Sequence, residues 1–208
     1  MKLIVTAGPT RERIDNIRYI TNRSSGKMGY AIAAAAAKYG FECLLISGPT
    51  NLEPPAGVEF IGIESAAEMA EAVKARFPDT DAVIMVAAVA DYRPKSITEG
   101  KLKKGEGDLC LELERTEDIL AAIGKTKQPH QTLVGFAAES ENLEANAIGK
   151  LKRKNLDWII ANHIDDGFGG DQNKVTLYAA NGTKKELDPA TKIELAGKII
   201  ETIFGEKQ

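Results

Sequence analysis

Small, polar and basic residues precede an alanine-rich run in the segment ITNRSSGKMGYAIAAAAAKYG, residues 20–40. The first turn of a helix exposes backbone N–H groups and carries partial positive charge, so it favours anions. Hydroxyls, glycines that allow close backbone approach and a lysine converge there: Asn22, Ser24, Ser25, Gly26, Lys27 and Gly29. We therefore predict a phosphate-binding turn whose serines also cap the helix. The alternative is a capped helix that uses its alanines for packing alone.

Neither common phosphate-binding motif is present in this segment. The dinucleotide fingerprint G-x-G-x-x-G is absent. A Walker A motif would need Ser or Thr after Gly26-Lys27, but Met28 follows, and Thr21 stands where its first glycine should be. The predicted anion site must therefore be built by local geometry.

Two further clusters could take part in chemistry with phosphates. Asp91 ends the apolar run AVIMVAAVA and is either a metal or ribose ligand at a strand end or a turn former; both remain open. The basic segment KLKKGEG (101–107) is either a solvated loop or one that brings Lys101 over phosphates. The lysines of KLKRKNLD (150–157) stand at the end of a predicted helix, and their favourable interaction with the negative end of the helix dipole would by itself explain them.

Histidine and cysteine chemistry is disfavoured. His130 and His163 have no metal-ligand spacing, and no Ser/His/Asp triad can be assembled. Cys43 and Cys110 lie in apolar, strand-like runs, which predicts buried free thiols and a reducing cytoplasm.

The composition is that of an ordinary globular protein, with 43% hydrophobic and 27% charged residues. A net charge of -3 and a pI near 5.6 argue against binding nucleic acid or an anionic membrane. No apolar run approaches the length of a membrane span. We expect small-molecule partners.

Short apolar runs alternate with helical periodicity along the chain. The predicted strands are Leu3–Gly8, Cys43–Ser47, Val58–Ile63, Ala82–Ala90, Thr132–Glu139 and Trp158–Asn162. The predicted helices are Gly29–Lys38, Ser65–Phe77, Thr116–Ile123, Leu143–Lys154 and Ala190–Phe204. Residues 174–187 form a predicted hairpin, since Asn181-Gly182 is a strong hairpin turn.

Strands that are apolar throughout are buried on both faces. The pattern predicts a single α/β domain over residues 1–208, with a Rossmann-like, mostly parallel sheet flanked by helices and a C-terminal β-hairpin extension.

Six motifs in this order and spacing resemble phosphopantothenate–cysteine ligase, over nearly the whole chain. They are TAGPTRERID (6–15), RYITNRSSGKMG (18–29), AAVADY (87–92), KLKK (101–104), VGFAAE (134–139) and KRKNLD (152–157). Because the chain begins at the ligase's first strand, it is similar to the free-standing bacterial type, for which no flavin is expected.

The resemblance implies a ligase of coenzyme A synthesis that acts in two steps. CTP activates the carboxylate of 4′-phosphopantothenate as an acyl-cytidylate with release of pyrophosphate, and the amine of L-cysteine then displaces CMP. Mg²⁺ is implied as well, with ligands that the sequence leaves unknown, and so is a homodimer that pairs through the hairpin.

The resemblance also implies roles for single residues. Asn22, Ala87 and Ala88 would contact phosphopantothenate, and Asn22 and Lys101 would be catalytic. The nucleotide contacts would be Asp91, Lys101, Glu117, Asp118, Ile119, Leu120, Phe136, Lys150 and Lys154. Ser24, Ser25, Gly26 and Lys27 are assigned to a nucleotide phosphate from their own chemistry. This chain departs from many relatives in having Glu117 where they have proline.

Two other functions fit the α/β pattern. A nicotinamide-dependent oxidoreductase would need an acidic residue near the end of the second strand, but Ser47-Gly48 stands there. A non-catalytic nucleotide-binding module is possible because fold does not fix activity.

Overall fold

The computed structural model describes residues 1–105, 107–164 and 170–205. Its main feature is an eight-stranded sheet in the order β12-β11-β10-β9-β6-β1-β4-β5. The sheet strands are β1 Lys2–Ala7, β4 Glu42–Ser47, β5 Glu59–Gly62, β6 Ala82–Met85, β9 Thr132–Glu139, β10 Trp158–His163, β11 Gln172–Ala179 and β12 Lys184–Thr191. The first six strands run parallel to one another, and β11 and β12 extend the sheet by antiparallel pairing. The predicted fold class is confirmed.

Five helices cover the two faces of this sheet in the described part of the chain. They are α1 Lys27–Lys38, α2 Ala66–Arg76, α3 Ile119–Thr126, α4 Leu143–Arg153 and α5 Lys192–Phe204. Helices α1 and α5 pack on one face through residues such as Ile32 and Ile199. Helices α2, α3 and α4 pack on the other through residues such as Met69, Ile123 and Leu151. Each such buried side chain stabilises the fold by about 1.5–3 kcal/mol relative to its exposed state.

Two short ribbons extend from the carboxyl end of the sheet. One pairs β2 Arg11–Arg13 with β3 Tyr19–Thr21 in the connection between β1 and α1. The other pairs β7 Tyr92–Pro94 with β8 Leu113–Arg115. Neither ribbon was predicted, although the strand-like run around Cys110 reaches into β8, since three-residue strands carry too little alternation to be recognised.

The strand order reverses between β1 and β6, which is where open α/β sheets bind ligands. The chain goes from β1 to β4 and β5 on one side, then returns to β6 on the other. Beyond this point the Ala88 N–H donates to the Gly8 carbonyl at 2.9 Å, and the Thr10 N–H donates to the Ala88 carbonyl at 3.2 Å. These bonds hold the loops after β1 and β6 together at the mouth of a crevice.

Several predicted boundaries need correction. The run predicted as strand to Ala90 leaves the sheet after Met85, because the Thr6 hydroxyl accepts the N–H groups of Val86 and Ala87, both at 3.1 Å. Helix α3 begins at Ile119 instead of Thr116, because the Asp118 side chain caps it by accepting the Ala121 N–H.

Cys110 was predicted to be buried in a strand, and this is wrong. The residue is exposed, and regular pairing on this segment begins only at Leu113. Cys43 is a buried free thiol, as predicted. The hairpin is confirmed: the turn between β11 and β12 contains Asn181 and Gly182, and Gly182 has a φ of +91°.

Candidate functional site

A central cleft of about 540 Å³ opens beside the point where the strand order reverses. One wall is the segment Ala87–Tyr92 that follows β6, and another is Arg115–Leu120 between β8 and α3. Phe136 of β9, Lys150 of α4 and Lys154, which directly follows α4, complete it. Because these segments follow strand ends or begin a helix, they present backbone groups to the cleft.

The central cleft gathers most of the residues that the resemblance assigned to substrate and nucleotide. Those that line it are Ala87, Ala88, Asp91, Glu117, Asp118, Ile119, Leu120, Phe136, Lys150 and Lys154. They are spread over 68 positions of sequence (154 minus 87, plus one), so only the fold brings them together.

The lysines of the cleft are already paired with carboxylates. Lys154 Nζ lies 2.9 Å from Asp118 Oδ2, and Lys150 Nζ lies 2.6 Å from Glu139 Oε1. Glu117, at the rim, pairs with Lys74 of α2 at 2.7 Å. These pairs hold ammonium groups at one end of the cleft, where an anionic ligand can recruit them.

Asp118 remains ionised beside these lysines. Burial opposes its ionisation, but the hydrogen bond from Lys154, the bond from the Ala121 N–H and the charges of Lys154 and Arg153 together lower its pKa. The residue therefore caps α3 and fixes Lys154 as a carboxylate.

Asp91 lies at the rim of the cleft with its carboxylate uncommitted. Its backbone carbonyl accepts the Thr116 N–H at 3.0 Å, which joins the two walls. The exposed side chain makes no hydrogen bond or ion pair with any residue that the structure describes. Within residues 1–105, 107–164 and 170–205, no group of three or more His, Cys, Asp or Glu side chains could hold a metal ion. Asp91 could supply one oxygen ligand, and the rest would come from a ligand or water.

Asn22 reaches the cleft wall from the opposite ribbon. Its Nδ2 donates to the carbonyls of Ala88 and Val89, at 3.1 and 3.2 Å. The structure thus brings Asn22 and the Ala87-Ala88 backbone together, although 65 positions separate Asn22 from Ala87.

The turn Ser24–Lys27 borders a second pocket of about 140 Å³, which shares Ala88 and Phe136 with the central cleft. Gly26 is the N-cap of α1 in a left-handed conformation, with a φ of 76° and no side-chain capping bond. The prediction that the serines cap the helix is wrong: the Ser24 hydroxyl accepts the Gly26 N–H at 3.3 Å instead. None of these four residues lines the central cleft.

Three further residues line this second pocket and were missed by the sequence analysis. Asn162, at the end of β10, has a buried side-chain oxygen without a hydrogen-bond partner in the described part of the chain. Asn173 and Lys192 are also buried, and burial followed by the charge of Lys27 lowers the pKa of Lys192. Asn162 could have been found, because it ends a parallel strand at the ligand-binding edge.

Lys101 lies apart from both pockets. It is exposed in the segment between β7 and β8 and lines neither the central cleft nor the second pocket. Its assignment to the nucleotide stays a prediction.

The described helices include none that is both long and apolar enough to cross a membrane.

Comparisons with known proteins agree with this architecture. A family model described as "DNA/pantothenate metabolism flavoprotein C-terminal domain" matches residues 1–206. The chain is 48% identical over 205 residues to the "Coenzyme A biosynthesis bifunctional protein CoaBC" of Bacillus subtilis (strain 168), with 97% of this chain and 50% of that protein covered.

Two solved structures share the fold over nearly the whole chain. The crystal structure of the C-terminal domain of a CoaBC protein has a TM-score of 0.85 and 46% identity, covering 97% of this chain and 93% of its own. A DNA/pantothenate metabolism flavoprotein from Streptococcus pneumoniae has a TM-score of 0.84 and 26% identity, covering 98% of both chains.

The chain spans about half the length of the curated CoaBC relatives it matches. Within that span, the family match, the sequence identity and the shared fold agree. The chain therefore belongs to the family of DNA/pantothenate metabolism flavoprotein C-terminal domains.

Proposed function

We propose that this protein joins 4′-phosphopantothenate to L-cysteine in coenzyme A biosynthesis, as a CTP-dependent phosphopantothenate–cysteine ligase. The observation that carries the proposal is the central cleft, which unites the Ala87–Asp91 loop, the Glu117–Leu120 turn and the α4 lysines beside Asn22. The printed names of its relatives, which refer to coenzyme A biosynthesis and pantothenate metabolism, support the same chemistry.

The nucleotide would occupy the central cleft. Its base would lie against the backbone of the Glu117–Leu120 turn and the ring of Phe136, and Asp91 would lie near the ribose or the phosphates. Lys150 and Lys154 would exchange their carboxylate partners for phosphate oxygens, which the partial exposure of these ion pairs supports. The turn Ser24–Lys27 would hold a phosphate beyond Ala88, at the N-terminus of α1.

The acyl substrate would place its carboxylate near Asn22 and the Ala87-Ala88 backbone. A carboxylate oxygen attacks the α-phosphorus of CTP, the bond to the β-phosphate oxygen breaks, and pyrophosphate leaves. Both reactants are anions, so the main catalytic need is cationic and N–H groups fixed in place before the reaction. Lys101 would contribute a further ammonium group.

In the second step the cysteine amine attacks the acyl carbon, and the acyl C–O bond breaks to release CMP. Asn22 would stabilise the mixed anhydride between the two steps by donating one amide N–H that it releases from the Ala88 or Val89 carbonyl. Joining a carboxylate to an amine changes no oxidation state, so no step of this proposal requires a flavin.

Mg²⁺ would be held by phosphate oxygens of CTP and by Asp91, whose carboxylate has no other partner among the described residues. When bound, it would neutralise charge on the phosphates. We further propose that the enzyme works in the cytoplasm as a homodimer. Strand β12 supports a role for the 174–187 hairpin in pairing, since it is an edge of the sheet and no strand among the described residues pairs with its outer side.

The proposal is tested by incubating the protein with phosphopantothenate, Mg²⁺ and each of CTP, ATP, GTP and UTP, with and without L-cysteine. We expect CMP release that depends on cysteine, in an amount equal to the amide formed, with CTP as the best nucleotide. Absence of cysteine-dependent nucleotide release with all four would contradict a ligase. Saturable NADH binding would then favour the oxidoreductase, and tight nucleotide binding without turnover would favour a binding module.

A further inference from the structure

Asp15 is a buried carboxylate in the turn between β2 and β3, outside both pockets. Its Oδ1 accepts the N–H groups of Ile17 and Arg18, each at 2.8 Å, which closes the turn. Its Oδ2 faces the other way and accepts the Arg18 Nε at 3.0 Å and the Leu102 N–H at 3.0 Å. Oδ1 therefore closes the turn, whereas Oδ2 also contacts residues 98–102, the Lys101 segment, through the Leu102 N–H.

The same turn holds the Lys101 segment at three more points. Arg18 Nη2 donates to the Leu102 carbonyl at 2.8 Å, and the Asn16 N–H donates to the Gly100 carbonyl at 3.1 Å. The Thr98 N–H donates to the Ile14 carbonyl at 3.1 Å. The backbone is thus fixed on both sides of Lys101.

The backbone around Lys101 is held in place, but its side chain is not. It is exposed and makes no hydrogen bond or ion pair with any residue in the described ranges. An anchored backbone presents this uncommitted ammonium group at a fixed place outside the two pockets, from which it could meet the part of a ligand that extends beyond them.

We propose that Asp15 is a positioning residue that holds the Lys101 segment through the Leu102 N–H and the Arg18 guanidinium, and thereby sustains turnover. This inference rests on the proposed function, in which Lys101 meets the phosphates of the nucleotide. The hydrogen bond from Arg18 is the main reason why the pKa of Asp15 lies below its usual range, so the carboxylate is ionised at neutral pH.

The variant Asp15→Asn separates the two tasks. Its amide oxygen can keep the Ile17 and Arg18 N–H bonds, while its amide nitrogen faces the donors of Arg18 and Leu102 and cannot accept from them. We expect the Leu102 amide to exchange with solvent at least tenfold faster, and kcat to fall by about 10- to 100-fold. The hydrogen-exchange rates of the backbone amides in β1 should stay unchanged, and this serves as the check that the fold is intact.

A double-mutant cycle identifies the route of the effect. If Asp15 acts through Lys101, then Asp15→Asn combined with Lys101→Ala should be no slower than Lys101→Ala alone. The matched control is Asp81→Asn, since Asp81 also accepts a backbone N–H, that of Lys2 at 2.7 Å, far from both pockets. This control should leave kcat and the exchange of Leu102 unchanged.

Three results would overturn the inference: unchanged exchange at Leu102 in Asp15→Asn, unchanged kcat despite faster exchange, or losses that multiply in the double variant. A wild-type protein without cysteine-dependent CMP release would instead overturn the proposed function. In that case the exchange of Leu102 alone decides whether Asp15 holds the segment.

Discussion

Lys150 and Lys154 illustrate how single residues prepare the cleft for an anion. Each ammonium group is held by one carboxylate, with Lys150 35% and Lys154 22% exposed at the side chain. Because these side chains are only partly exposed, an ammonium group that leaves its carboxylate needs another anion in its place. A triphosphate, which offers several charged oxygens, can therefore replace the carboxylates as partners.

The two cysteines should differ sharply in reactivity. Burial raises the pKa of Cys43 to about 12, so its thiol is almost entirely protonated at pH 8. We expect an aromatic disulfide reagent to modify one thiol, Cys110, in the native protein and two in denaturant. Mass analysis of the labelled peptides checks the assignment. Two equivalents in the native protein, at similar rates, would contradict the burial of Cys43.

Most of the proposed site residues could be named from sequence only through the family resemblance, although Ala87, Ala88, Asp91 and Phe136 also lie in two motifs near strand ends. AAVADY and VGFAAE mark the ends of two parallel strands, and such ends meet at one edge of a sheet. The position of Lys192 could not be inferred, since it depends on how α5 packs beside α1. The burial of Cys110 was mispredicted because apolar neighbours alone do not show that a strand has a partner.

At the scale of elements, the position of α1 depends on its close approach to β1. A Cβ added at Gly29 would lie 2.5 Å from the Ala7 Cβ and 2.9 Å from the Thr6 carbonyl oxygen. Glycine is therefore needed at this contact for packing, which keeps the N-terminus of α1 beside the loop after β1.

Substitution at this contact should be costly. We expect Gly29→Ala to lower the free energy of unfolding by about 1–3 kcal/mol, because the helix must move away from the sheet. The measurement is urea unfolding followed by circular dichroism.

The matched control is Gly197→Ala in α5, where an added Cβ would meet no atom within 4 Å. There alanine should raise stability, by up to about 1 kcal/mol, through its higher helix propensity. Equal effects of the two substitutions would show that Gly29 is not a packing contact.

Element types were easier to predict than element ends. The parallel strands read clearly as short apolar runs. The ends depended on side chains that accept backbone N–H groups, such as Thr6 after β6 and Asp118 before α3. The bonds to Thr6 join positions that are distant in sequence, and Asp118 competes with another possible cap. The periodicity of apolar residues reveals neither.

At the scale of the whole molecule, the reversal of strand order is what creates the site. The loops after β1 and β6 are bridged through Gly8, Thr10 and Ala88, and the two ribbons extend from those same loops. One ribbon carries Asn22 just beyond it, and the other leads into the cleft wall at Thr116. The proposed acyl contacts at Asn22 and Ala88 therefore adjoin the cleft proposed for the nucleotide.

This arrangement predicts direct transfer of the carboxylate oxygen to the nucleotide. The decisive measurement uses phosphopantothenate with both carboxylate oxygens replaced by ¹⁸O, incubated with CTP, Mg²⁺ and L-cysteine. Mass spectrometry of the products should find one ¹⁸O in CMP and the other in the new amide. CMP without label, or label in pyrophosphate or orthophosphate, would contradict an acyl-cytidylate formed in this cleft.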